Sequence, residues 1–544
     1  ILMFREKNKG ITLVALVITI VILLILAGIS ISVLTNTGIF QKAKDAKKKS
    51  EEATKKEQSL LYGYEDELSK YTSNDRWDGK VNKPELMTGM TAIKFIEPTA
   101  NAAGSVVKVN DSSKKDWYNY DDKNWANAQT KDGSMWVWIP RYAYKITYKD
   151  TSNKEQGGTI EVVFLVGTTD NYYDKDGQLQ TAKRQADATN DYVVHPSFTN
   201  GASNNFKNGE WDKEIPGYWV AKFPAGYQAN TITNNNGTLS TTISNGDEEV
   251  KYSNKNYHDY NISMTTNAIS QNLSEKPKMS YPVFKPLTYA YNNISTGDAY
   301  TLSQEIKNGT SFYGLNAQST DSHQMKNSDW GAVAYLSHSN YGRNGTEISL
   351  NNYYTSESNP WKTAITGMCT NGTSGDMSTA LGNAYNTTIG VLGSTTANMT
   401  GIYDLNGCVW ERTAAYISNG HTYLSAFGSS FAITEKDTSG YKTLSTKYVT
   451  VYPWDSTSDN NENNYQIYKK LKYGYGDAIL ETSSSGTNTN GWNTDYTIFP
   501  ADSGPFFRRG GFYADSLHGG EFAFVLADGL PWYGYGFRSV LVTQ

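Results

Sequence analysis

The chain has 544 residues and a mass of 60.4 kDa, enough for two to four domains of roughly 150 residues each. Its 49 Lys and Arg against 54 Asp and Glu leave a net charge of −5, so no basic field is available for phosphate backbones and nucleic acid is not an expected partner. Charged residues are only 19% while aromatics reach 13%, with 40 Tyr and 13 Trp, a composition that supplies rigid contact surface on polar loops.

From Gly10 to Gln41 there is no charged residue, and Ile11 to Leu34 is rich enough in Ile, Val and Leu to span a bilayer as a helix. A secretory signal peptide would have a shorter apolar core followed by a small-residue cleavage site. Here a charged leader, Phe4-Arg5-Glu6-Lys7-Asn8-Lys9-Gly10, runs straight into Ile11-Thr12-Leu13-Val14-Ala15-Leu16. At these residues the chain resembles the prepilin family of type IV pilins and pseudopilins, over about the first 65 residues. The resemblance implies a leader over 1–10, cut after Gly10 by a prepilin peptidase to leave Ile11 as the first mature residue, and other pilin subunits as partners. It departs at the fifth mature position, where Ala15 stands in place of the family's glutamate, which argues against ordinary filament packing. Lys42 to Leu68 is rich in good helix formers with interleaved charges, so the helix is expected to continue as a stalk over 11–70, about 90 Å long at 1.5 Å per residue. A single-pass membrane protein displayed at the cell surface is the expectation.

Residues 71–135 contain a hydrophobic island, Met87 to Phe95, without an assignable fold, and are expected to form a linking region. Beyond it, short apolar runs separated by turn residues read as strands: Met135–Pro140, Thr159–Phe164, Tyr218–Phe223 and Phe537–Val542. The best helical stretches are 280–293 and 328–338, and the polar tracts 229–255 and 454–495 are expected to be loops or insertions.

The six histidines are far apart in sequence, and neither a phosphate-binding loop nor a nucleophile elbow is present, which lowers the expectation of an enzyme. Cys369 and Cys408 exclude a disulfide-dense scaffold and a four-thiolate zinc site. A single bridge between them and two buried free thiols both remain open.

Two segments are distinctive: Gly401-Ile402-Tyr403-Asp404-Leu405-Asn406-Gly407-Cys408-Val409-Trp410-Glu411-Arg412-Thr413, and a C-terminal pair, Arg509-Gly510-Gly511 followed by Gly536-Phe537-Arg538. Together they resemble the formylglycine-generating-enzyme (sulfatase-modifying-factor) family, whose members share a variant of the C-type lectin fold. The resemblance implies an α+β chain: the long transmembrane and stalk helix, then a large C-type-lectin-like mixed domain over 136–544 with few helices and long loops. Within it, Trp410 and Glu411 are expected to be core, Gly510 and Gly511 to permit close backbone approach, and Arg538 to form an internal ion pair. The family's reactive cysteines follow the Arg-Gly-Gly block, but 512–518 contains no thiol, so copper-thiolate oxidation is not expected and the chain is not read as an enzyme. No cofactor is expected, although the Asp/Asn-rich loops leave room for a structural calcium ion without a recognisable ligand spacing.

The same closing arrangement is similar to the variable proteins of diversity-generating retroelements, in which adenine-directed mutagenesis diversifies the stretch between the two blocks. Tyr513, Ala514, Asp515, Leu517, His518, Val525, Ala527, Asp528, Leu530, Tyr533 and Gly534 are all reachable by that mutagenesis, and Trp532 stands among them as an aromatic anchor. The resemblance implies a variable ligand-binding region within 509–538 that contacts a protein, a glycan or a phage surface. A structural minor pilin, or an enzyme of the same fold with other chemistry, is the alternative expectation.

Overall fold

The computed structural model divides the chain into two compact units, Ile1–Arg76 and Trp77–Gln544. In the first it describes residues 19–23, 45–47, 49, 50 and 53, all helical. In the second it describes 81–544 apart from 113–115, 185, 201–210, 227–231, 236–237, 242–280, 293, 356–362, 371–381, 433–446, 472–475, 488 and 516–517.

Two seven-stranded sheets organise the second unit. The first runs Thr320–Gln324, Ser539–Thr543, Gly217–Ala221, Met135–Pro140, Asn127–Gln129, Thr91–Ile96 and Ser105–Lys108, with antiparallel neighbours throughout. Its middle strands read as near-continuous apolar runs because both faces are covered; all six residues of Met135–Pro140 and all five of Gly217–Ala221 are buried. The C-terminal strand lies inside this sheet between two much earlier strands, so the end of the chain closes the structure.

The second sheet runs Thr450–Tyr452, Trp410–Ile417, Phe506–Gly510, Gly520–Ala527, Tyr496–Ile498 and Thr489–Asn490, and Tyr535–Phe537 adds parallel to Trp410–Ile417. Three of its pairings are parallel and therefore need long returns through the body. The helix Asn327–His338 is buried along its whole length, so it carries apolar residues all round instead of a single stripe. Asp329 caps it by accepting the Lys326 backbone N–H at 3.0 Å. Its Trp330 donates Nε1–H to Glu521 O at 2.7 Å on the second sheet, and its Tyr335 ring lies 4.8 Å from Tyr144 on the strand Tyr142–Tyr148. Trp117, Trp125, Trp136, Trp138, Trp219, Trp330 and Trp492 are all below 2% exposure, which explains where much of the unusual Trp content goes.

The α+β expectation with a long N-terminal membrane helix is corrected. Among the described residues strand outweighs helix, 30% against 19%, and no helix is long and apolar enough to cross a membrane. The leader, Gly10, Ile11 and most of 11–70 lie outside the described residues. The segment expected to link two parts instead contributes Thr91–Ile96, Ser105–Lys108 and Asn127–Gln129 to the first sheet, because its apolar island supplies buried strand residues such as Ala92 and Ile93. The helical expectation for 328–338 coincides with Asn327–His338, whereas within 280–293 the described residues 281–292 are not helical and the helix begins later, at Thr296–Glu305, behind the N-cap Ser295. The tract 454–495 includes the helix Asn461–Leu471.

Candidate binding face

Alternation along the second sheet sorts its side chains onto two sides. Glu411, Phe507, Arg509 and Phe524 point inward. Arg538 reaches Glu411 with Nε at 2.9 Å and Nη2 at 2.6 Å, and its remaining donors go to Ala221 O at 2.7 Å and Tyr403 O at 2.8 Å. Glu411, expected to be core, is buried against this guanidinium. Arg509 spends its donors on the carbonyls of Ala523, Asp477 and Ala478. Gly510 and Gly511 both hold φ at +87°, and a Cβ on Gly511 would meet Gly519 Cα at 2.5 Å, so the Arg-Gly-Gly block closes the base of the following loop.

On the opposite side stand Trp410, Arg412, Arg508, Ala523, Val525, Tyr496, Ile498 and Tyr535. One part of that side, around Tyr416 and Phe506, is covered by the helix Thr422–Gly428 and by Phe431, whose ring lies 5.8 Å from Tyr416 and 5.9 Å from Phe506. The rest is bordered by the loops 511–519 and 528–534, which bring more rings to it. Trp532 lies 5.3 Å from Phe512, 4.3 Å from Tyr533 and 4.7 Å from Tyr535. His518 stacks on Tyr496 at 4.4 Å.

Arg412 and Arg508 face each other directly across the antiparallel pair, a like-charge arrangement that ordinarily destabilises a sheet. Aromatic faces offset it: the Arg508 guanidinium sits 4.9 Å from the Trp410 ring and 4.8 Å from Tyr535, and Arg412 sits 4.7 Å from Tyr535. Arg508 also donates to Tyr535 Oη, and Arg412 donates to Leu530 O and, at 2.6 Å, to Thr296 Oγ1. Burial holds Arg412 down at about 10, with the Arg508 charge adding to the effect. Neither Nε has a hydrogen-bond partner among the described residues. Asp515 accepts the Phe512 N–H at 2.8 Å; burial pushes its carboxyl up to about 6 against the pull of that hydrogen bond, Arg508 and His518.

Of the residues singled out in sequence, Ala514, Asp515, His518, Asp528, Leu530, Trp532 and Tyr533 are partly exposed around this face. Tyr513, Val525 and Ala527 are interior, at 2%, 4% and 3% exposure, and Gly534 lies beneath the Trp532 ring. Val525 is covered by Trp410, Tyr496 and Ile498, Ala527 by the packing around Tyr416 and Phe506, and Tyr513 packs beside Cys408. Leu517 lies outside the described residues. Sequence reasoning passed over Arg412, Arg508, Tyr496 and Tyr535; the period-2 pattern through Phe506–Gly510, which separates Arg508 from Arg509, was the signal for Arg508. Trp410, assigned to the core, is 3% exposed and forms the floor under Arg508.

Cys369 and Cys408 are free and buried, so the bridge is not formed; burial pushes the Cys369 thiol up to about 12. Among the described residues no three His, Cys, Asp or Glu side chains are placed to hold a metal. Compared with protein-family models and with curated proteins, the chain matches none, so what this face does rests on its own geometry.

Proposed function

We propose that this chain is a ligand-binding protein acting outside the cell, and that the aromatic face bordered by the loops 511–519 and 528–534 is its binding surface. The observation that supports this is the partly exposed Arg508, held between Trp410 and Tyr535 with no acidic side chain at ion-pair distance and with Nε unpartnered among the described residues. An arginine stacked on Trp410 and Tyr535, with Trp532 packed against Tyr535, has the composition of an interface hot spot, in which aromatics supply area and a cation supplies direction. Such a surface suits a macromolecular partner with an acidic group, such as a glycan or a protein loop. The resemblance to diversified proteins adds that the partly exposed loop residues vary between sibling genes while the sheet beneath them stays fixed.

The test is binding of the purified protein to an array of acidic and neutral glycans and to intact cells, compared with Arg508→Ala and Trp532→Ala. Binding that both variants lose, with their thermal unfolding unchanged, supports the reading. Binding that survives both substitutions overturns this face as the surface.

A further inference from the structure

Lys222 follows the strand Gly217–Ala221 and is 0% exposed. Its Nζ donates to the side-chain carbonyl Oδ1 of Asn127 at 3.0 Å and to Gly401 O at 2.6 Å. Rings enclose it, Phe95 at 4.7 Å and Tyr403 at 5.4 Å. No carboxylate lies within ion-pair distance of it among the described residues, whereas the equally buried Lys326 has Asp329 at 3.8 Å. An ammonium left in this environment is costly, and burial holds the Lys222 amine well below its usual range. A buried lysine that sheds its proton is a nucleophile.

The group in front of that nucleophile is an amide. Asn127 is 1% exposed, and its Nδ2 donates to Trp125 O at 3.0 Å and Thr400 O at 2.7 Å. Those two bonds fix which way the amide faces and keep its carbonyl toward Nζ. The acid that acts on this pair does so through its field, from beyond ion-pair distance. Glu97 follows Phe95 by two residues, accepts the Met399 N–H at 3.0 Å, and is the acid whose field reaches Lys222. Burial raises its pKa, with the Met399 bond and the Lys222 charge opposing.

We propose that Lys222 and Asn127 are joined by an intramolecular isopeptide bond. The Lys222 Nζ lone pair attacks Asn127 Cγ and a new C–N bond forms. The Cγ–Nδ2 bond breaks, and Nδ2 leaves as ammonia with the proton that Nζ gives up. Atoms balance without an oxidant or a cofactor. The bond ties the end of Gly217–Ala221 to the start of Asn127–Gln129 across the intervening strand Met135–Pro140, a covalent staple through the middle of the first sheet.

Peptide mapping of the denatured, full-length protein tests this without any substitution. The expected result is a branched peptide containing Lys222 and Asn127, lighter by one ammonia than its two unlinked parts, with fragmentation placing the junction on those two side chains. Recovery of separate Lys222 and Asn127 peptides at their unmodified masses overturns the proposal, as does an ammonia loss that maps to another asparagine.

Discussion

Arg538 grips Glu411 through two nitrogens, at 2.9 and 2.6 Å, and joins the last strand of the first sheet to the second sheet at a point neither side chain shares with solvent. Breaking a buried pair by removing one partner leaves an uncompensated charge and costs about 3–5 kcal/mol. Arg538→Ala and Glu411→Ala are therefore each expected to lower the urea midpoint sharply, and the double variant to cost less than the sum of the two. Additive costs in the double-mutant cycle would show that the pair is not coupled.

Trp532 and Arg508 stand on a partly exposed face, so truncating either removes contact area without opening a cavity in the core. Each substitution is expected to weaken ligand binding about tenfold or more, the range of an interface hot spot of about 1.4 kcal/mol or above, while leaving thermal unfolding nearly unchanged. Tyr513→Ala, which empties interior volume beside Cys408, is expected to act through stability instead. Parallel calorimetry and binding titrations separate the two classes.

Gly511 and Gly519 touch backbone to backbone at the foot of the loop 511–519. Gly511→Ala introduces a Cβ 2.5 Å from Gly519 Cα at a residue whose φ is +87°, so it carries both a steric and a conformational cost of roughly 1–3 kcal/mol. The expected outcome is reduced stability together with displaced contacts of Phe512 and Asp515, read as lost binding and as increased amide exchange confined to 511–519. Unchanged exchange there would contradict the strut role.

Glu347 lies in the field of Glu521, and Asp495 in the fields of both. Burial pushes Glu347 up to about 8, with the Glu521 charge adding to it. The folded chain thus keeps a proton on Glu347 that the unfolded chain, titrating near 4.5, releases. Stability from this group is complete below about pH 4.5 and falls as pH rises toward about 8, because there the native state binds more protons than the unfolded one. Glu347→Gln cannot titrate, so its stability relative to wild type is expected to improve across that interval. Urea unfolding at a series of pH values checks this, and curves that run parallel would contradict it.

If the closing stretch is diversified, burial decides where. Sibling genes are expected to differ at Ala514, Asp515, His518, Asp528, Leu530 and Tyr533, and to keep small or apolar residues at Val525 and Ala527, whose 4% and 3% exposure leaves no room for charge. Sequencing siblings, together with a search for a neighbouring reverse transcriptase and a near-copy of the gene's 3′ end, provides the check. Substitutions spread evenly along the chain would end the idea.

Local pattern was enough to find Met135–Pro140, Gly217–Ala221 and the helix Asn327–His338, since alternation, apolar runs and breakers act over a few residues. The blocks around Trp410–Glu411, Arg509–Gly511 and Arg538 were also visible, because close backbone approach and buried charge demand particular residue types. What sequence could not decide was partnership. Alternation puts Arg508 and Arg509 on opposite sides of their strand, but only the pairing of strands makes one side an aromatic face and lines the other with buried carbonyls. Nor does spacing bring Lys222 beside Asn127, 95 residues apart in the chain; only the order of strands in the first sheet does. Contacts of that kind are set by which strands become neighbours, a property of the whole assembled sheet and of no single segment.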